Sequence, residues 1–174
     1  LSLHDRLFLT GALRFDDHSA FGKNFNATAY PKASASWLIS EEPFFHLSWL
    51  STLRLRSAFG VSGRQPGTID ALRYSRQVAG KKGGVGIVGA ATAALGNPEL
   101  KPERSRELEL GADAQLLGGR VAIELTYYTK RTVDGLVARD VDPGTGIDQP
   151  QFFNTTTNRE RGFEFAVDTR LFDR

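Results

Sequence analysis

The chain has 174 residues, 40% hydrophobic and 24% charged, with a formal charge of +2 and neither Cys nor Met. That composition excludes a disordered chain, an apolar helix bundle, disulfides and thiolate metal sites. The small charge does not call for a nucleic-acid partner, and no apolar run approaches the roughly 18 residues a membrane helix needs.

The opening stretch LSLHDRLFLTGALRF lacks a basic leader and a cleavage site, so no signal peptide is expected. Because the strand-like pattern is already under way there, the chain reads as a piece of something longer. Six segments then alternate apolar and polar residues with period two, as strands with unlike faces do. The first sets Leu7, Leu9, Leu13 and Phe15 against Thr10, Arg14 and Asp16; the second sets Ala27 to Ile39 against Thr28 to Ser40. The third opposes Leu53, Leu55, Phe59 and Val61 to Arg54, Arg56, Ser62 and Arg64. The fourth opposes Leu108, Leu110, Ala112, Ala114 and Leu116 to Glu107, Glu109, Asp113 and Gln115. The fifth opposes Val121, Ile123, Leu125 and Tyr127 to Glu124, Thr126, Lys130 and Thr132, and the sixth opposes Phe163, Phe165, Val167 and Leu171 to Glu164, Asp168 and Arg170. No segment keeps a helical period.

The connections alternate in length. Gly118-Gly119 is a two-residue turn whose central positions want positive φ, and the link from Ser40 to Ser51 is moderate. Gln65 to Glu103 and Ala138 to Asn158 are read as long loops. A structureless loop of that first length is foreign to a compact soluble domain, but an outer-membrane barrel has short turns at one end and long loops at the other.

A length test supports the barrel. If Gly118-Gly119 is the turn, Leu116 faces Val121 and Arg106 faces Arg131, ten residues further along. Ten residues at ~3.4 Å and a tilt of about 40° rise roughly 26 Å, against an apolar band of about 25 Å. The apolar face then matches lipid, while the opposite face, with Glu107 across from Lys130, matches a wet lumen. The competing fold is a soluble β-sandwich or solenoid, whose strands are usually shorter. Trp37, Tyr127 and Phe15 suit the aromatic girdles of a barrel.

Motifs for chemistry are weak. Gly84 to Gly89 matches G-x-G-x-x-G but has no flanking βαβ pattern, so a flexible apolar loop is expected there. His4, His18 and His46 are not at metal-ligand spacing. Asp16, Asp17, His18 and Ser19 gather at a rim, but sequence neighbours rarely form a catalytic constellation. No metal, no cofactor and no catalysis are expected.

GNPELKPERSRELELGAD carries more weight, with Pro98 and Pro102 expected to hold extended chain ahead of a strand. The stretch resembles the Asn-Pro-x-Leu-Lys-Pro-Glu signature before a late barrel strand of TonB-dependent receptors. LFLTGALRFDDHSAFGKNFNATAYPKASASWLISEEPFF, with its Ser-x-Phe-Gly hairpin, and LRLRSAFGVSGRQPG resemble the SusC/RagA branch of that family.

The resemblance implies an all-β fold: residues 1–174 as about six antiparallel transmembrane strands of a barrel of about 22, with long extracellular loops. It implies nutrient import at the outer membrane of a Gram-negative bacterium, with oligosaccharide or peptide favoured. Siderophore or cobalamin uptake and a passive porin- or adhesin-like barrel are the alternatives. The implied partners are the TonB-ExbB-ExbD system, acting through a plug absent from these residues, a SusD-like surface lipoprotein, and outer-membrane lipid with its lipopolysaccharide. Candidate substrate contacts are Arg73, Tyr74, Arg76, Phe152, Phe153 and Asn154, because aromatics stack on sugars or peptides and Arg donates several hydrogen bonds. Arg106 and Arg131 are candidate lipid-headgroup contacts, since guanidinium forks fit phosphate.

Overall fold

Two-residue alternation sustained over ten or more positions is satisfied by extended chain, and the structure is built almost wholly from it. A computed structural model describes residues 1–17 and 27–170. The described residues form β1 (Ser2–Leu3), β2 (Leu7–Asp16), β3 (Thr28–Leu38), β4 (Leu50–Arg64), β5 (Tyr74–Lys82), β6 (Val85–Ala94), β7 (Glu103–Leu116), β8 (Val121–Arg139) and β9 (Gln151–Thr169). Seven strands make one antiparallel sheet in the order β1-β2-β3-β4-β7-β8-β9, and β5 and β6 pair as a separate hairpin inserted between β4 and β7.

The register makes the alternation of the separate strands into two continuous faces. Leu9 pairs with Ala35, Ala35 with Ser57 and Ser57 with Leu110. Further along, Leu55 pairs with Ala112, Ala112 with Leu125 and Leu125 with Phe165. This apolar face is uncovered: Leu13 is 58% exposed, Phe165 68% and Phe163 74%. Among the described residues the buried hydrophobics are only Tyr30, Leu50, Val61, Ala93 and Leu100. A sandwich would lay a second sheet over those Leu and Phe side chains; among the described residues no such layer covers the apolar face, as in a barrel wall turned toward lipid.

Short turns collect at one end of the sheet. His4 and Asp5, both at positive φ, turn β1 into β2, and a 3-10 turn at Ile39–Glu41 follows β3. Leu117, Gly118 and Gly119, at φ of 53, 67 and 84°, turn β7 into β8. The expected register holds, with Leu116 opposite Val121, Glu107 opposite Lys130 and Arg106 opposite Arg131. Neighbouring turns are stitched together: Leu117 N donates to Trp49 O at 3.1 Å, and Gly118 N to Ser51 Oγ at 3.1 Å. Trp37 lies on the apolar face at this end, its Nε1 bonded to Glu42 at 2.9 Å and its ring edge-on to Phe44, as suits an aromatic at a water boundary.

The long-loop end departs from the sequence reading in three places. Gln65 to Glu103 is not loop throughout, because β5 and β6 form a hairpin within it that turns at Gly83 and Gly84. The G-x-G-x-x-G stretch therefore runs from the turn at Gly84 into the first half of β6 rather than forming a flexible loop. Ala138 to Asn158 is mostly strand: β8 runs on to Arg139 and β9 starts at Gln151, leaving residues 140–150 as the connection. A bulge explains the misreading, since the β8–β9 register shifts between Thr132 and Leu136, where Asp134 takes a φ of 55°. Pro98 does not hold an extended lead-in. It occupies the second position of a turn closed by Leu100 N on Asn97 O at 3.2 Å, a place its fixed φ suits. His18, Ser19, the Ser-x-Phe-Gly hairpin and Leu171 lie outside the described residues.

Candidate functional site

The long-loop end gathers the residues that could meet a ligand, and its scaffold starts with Gly96-Asn97-Pro98. Gly96 has a φ of 61°, and a Cβ there would collide with the Leu72 carbonyl, so glycine alone fits the close approach. Asn97 then turns the chain, its Oδ1 accepting from Glu99 N at 3.0 Å while its own N donates to Asp70 O at 3.0 Å.

The turned segment is fastened to the start of β9. Gln151 Nε2 donates to Gly96 O at 2.5 Å, and Asn97 Nδ2 donates to Phe152 O at 3.0 Å. Asn154 Oδ1 accepts from Lys101 N, and its Nδ2 donates to Lys101 O and Asp134 O, each at 2.8 Å. Leu100 and Pro102 are buried beneath this clamp. Isolated two-stranded hairpins are marginal in water, so these anchors and the Arg76–Asp148 ion pair at 3.3 Å fix the root of β5–β6.

The six candidate contact residues thus fall into one neighbourhood, although most sit on strands rather than in loops. Arg73 is exposed just before β5, and Tyr74 opens β5 opposite Ala94. Arg76, opposite Ala91, reaches across to Asp148 on the β8–β9 connection. Phe152 and Phe153 pair with Ala138 and Val137 on β9 and β8, and the Arg139 guanidinium stacks over Phe153 at 5.1 Å. Asn154 spends its amide on three backbone bonds, which places it in the scaffold of the mouth. Gln151, Asp148 and Arg139 had no signal in the sequence. Asn97 did, because Asn before Pro marks a turn whose side chain bonds its own backbone.

Below the mouth, the polar face carries a network that strand alternation alone does not disclose. Arg56 on β4 donates from Nε to Asp113 Oδ1 at 2.9 Å and from Nη2 to Thr126 Oγ1 at 2.8 Å. One guanidinium so ties three adjacent strands, and Gly111 makes room for it, since a Cβ there would lie 2.7 Å from its Cζ and Nε. Around the network Glu107, Glu109, Glu124, Tyr128 and Glu164 line an open hollow of about 330 Å³. This wall can bind polar or cationic groups through fixed donors and acceptors. On the opposite, apolar face, Arg106 and Arg131 sit side by side, as the turn register requires.

The family profile described as TonB dependent receptor-like, beta-barrel matches residues 1–173. TonB-dependent receptor P26 of Formosa agariphila is 31% identical over 95% of this chain and 17% of its own length. TonB-dependent receptor SusC of Bacteroides thetaiotaomicron is 26% identical over 97% of this chain and 17% of its own. Among solved structures, the RagAB peptide importer in its closed-closed state superposes with a TM-score of 0.84 at 20% identity, over 98% of this chain and 18% of the importer chain. The chain spans about a sixth of the length of these relatives.

Proposed function

This chain belongs to the TonB dependent receptor-like, β-barrel family, and from that membership we propose that it is part of the wall of an outer-membrane barrel importing oligosaccharide or peptide. The observation that carries the proposal is the two-sidedness of the sheet. Leu and Phe lie uncovered on one face, charge and hydroxyl groups on the other, and short turns and long connections segregate to opposite ends. A strand that must satisfy its backbone while touching lipid can do so in a closed barrel, whose interior stays polar.

In this reading the Arg56 wall looks into the lumen and the mouth at β5, β6 and β9 looks outward. Arg73, Tyr74, Arg76, Phe152 and Phe153 supply stacking surfaces and donors to substrate, and Asn154 holds them in place. Transport here is binding and release without bond making, so the protein is not an enzyme. Energy comes from TonB-ExbB-ExbD acting through a plug domain elsewhere in the protein. A SusD-like surface lipoprotein is the partner at the mouth, a reading supported by the likeness to SusC and to the RagAB importer.

The test uses cells carrying the full-length receptor and labelled oligosaccharide or peptide mixtures. Replacing Tyr74 to Ala94 by a short Gly-Ser linker should abolish uptake while leaving a heat-modifiable barrel in the outer membrane. Uptake unchanged by that replacement removes the hairpin from the mechanism. Uptake indifferent to loss of TonB overturns active import and leaves a passive barrel.

A further inference from the structure

The pairing register places arginines on the apolar face in a way the turn alone did not reveal. Arg131 on β8 lies opposite Arg106 on β7 and also opposite Arg159 on β9. Three guanidinium stems therefore form a row across three adjacent strands, within about 10 Å at the usual strand spacing. Arg161, opposite Thr129, sits diagonally next to Arg131 one step toward the middle of the apolar band. All four side chains are exposed.

Like charges directly opposite one another destabilise a sheet, and among the described residues nothing offsets them. Among the described residues, no carboxylate lies within ion-pair distance of any of the four. The nearest acids along the same strands, Glu107 and Glu160, have the opposite strand parity and belong to the polar face. Arg104 behaves differently and is not part of the row, since its Nη2 turns to Ala29 O at 3.5 Å.

Position identifies what would neutralise the row. It stands at the long-loop end, just where the apolar face has risen about one membrane thickness from the Leu116–Val121 pair. Directly below it the face is apolar again, with Tyr127 and Phe163 in contact at 5.0 Å and Leu110 beside them. A ligand here must place acyl chains against those side chains and an anion among the guanidiniums. We infer that Arg106, Arg131, Arg159 and Arg161 form a binding bed for the phosphate of an outer-leaflet lipid. Each planar fork donates two parallel hydrogen bonds to phosphate oxygens, so one phosphate between neighbouring arginines converts repulsion into a bridge. The bed lies on the outside of the wall and is independent of what the barrel transports.

The experiment takes the purified full-length receptor in neutral detergent and titrates it with lipid A, with the same lipid A stripped of phosphate, and with inorganic phosphate. Lipid binding is followed by native mass spectrometry and thermal unfolding. Phosphorylated lipid A should bind and raise the melting temperature; the stripped lipid and inorganic phosphate should bind at least tenfold more weakly. Arg106→Gln with Arg131→Gln and Arg159→Gln should remove the difference between the two lipids. In detergent alone the triple variant should be as stable as the parent or more so, because repulsion is relieved. If the triple variant does not assemble, Arg131→Gln in the centre of the row gives the same comparison. Equal affinity for both lipids, or a variant that loses the same stability with and without lipid, overturns the inference. Saturation by inorganic phosphate alone overturns the assignment to a lipid.

Discussion

Placing a charge on each side of one short segment of β8 separates the two faces of the wall. Leu125 and Glu124 are adjacent, yet Leu125 lies in the row Leu55–Ala112–Leu125–Phe165, while Glu124 faces Asp113 across the polar side. Leu125 is four residues above Val121 at the short-turn end, roughly 10 Å into a band of about 25 Å, so an Arg there can reach neither interface without bending far along the strand. Leu125→Arg should cost roughly 2–4 kcal/mol, a shift of about 30- to 700-fold in the folding equilibrium. Glu124→Arg puts its guanidinium beside Asp113 and the acidic hollow, and should cost less than about 1 kcal/mol. Thr126 would be a poor control, because it is buried and its hydroxyl accepts from Arg56. The assay is equilibrium denaturant unfolding of the full-length receptor in bilayers, read by heat-modifiable mobility and tryptophan fluorescence. Equal costs at the two positions would refute a lipid-facing row.

Three further outcomes follow from the polar wall and the mouth. Gly111→Ala should destabilise the receptor by about 1 kcal/mol by pushing Arg56 off Asp113 and Thr126, and the loss should vanish in an Arg56→Ala background, a coupling read by a double-mutant cycle. Gly96→Ala should free the root of the β5–β6 hairpin, seen as faster amide hydrogen exchange over residues 96–102 with barrel assembly intact. Asp148→Ala removes an ion pair whose partners are 49% and 62% exposed, so stability should change by no more than about 1 kcal/mol while hairpin exchange quickens.

What the sequence disclosed follows from where alternation is strict. β2, β3, β4, β7 and the first half of β8 touch unlike media on their two sides, so Leu and Arg alternate along them and the Gly118-Gly119 turn sets their register. The β5–β6 hairpin has no such contrast. Most of its residues are exposed on either face as far as Gly89, and the stretch from Val78 to Ala94, mainly Gly, Ala and Val around Lys81 and Lys82, carries no period, so extended chain reads as loop. The outer half of β9 was hidden for a related reason: past the bulge at Asp134 the strand leaves the apolar band, and Asn154 to Asn158 are all polar. The sixth strand is therefore legible in the sequence only from Phe163, which leaves out Arg159, the third arginine of the row. The Arg56 network was illegible because its partners come from β7 and β8, beyond a 38-residue insertion separating Arg64 from Glu103. Only the folded register shows which carboxylate and which hydroxyl that guanidinium meets.

Contact of the apolar face with lipid can be read directly, because this segment, having no Cys of its own, suits site-directed spin labelling. Single Cys replacements from Ile123 to Tyr128 in the full-length receptor, reconstituted in bilayers, can each be probed for collisions with molecular oxygen and with a polar nickel chelate. A lipid-facing row gives an oxygen signal of period two, high at 123, 125 and 127 with the chelate excluded, and low at 124, 126 and 128. Oxygen accessibility without that period, or free access of the chelate to position 125, would contradict it.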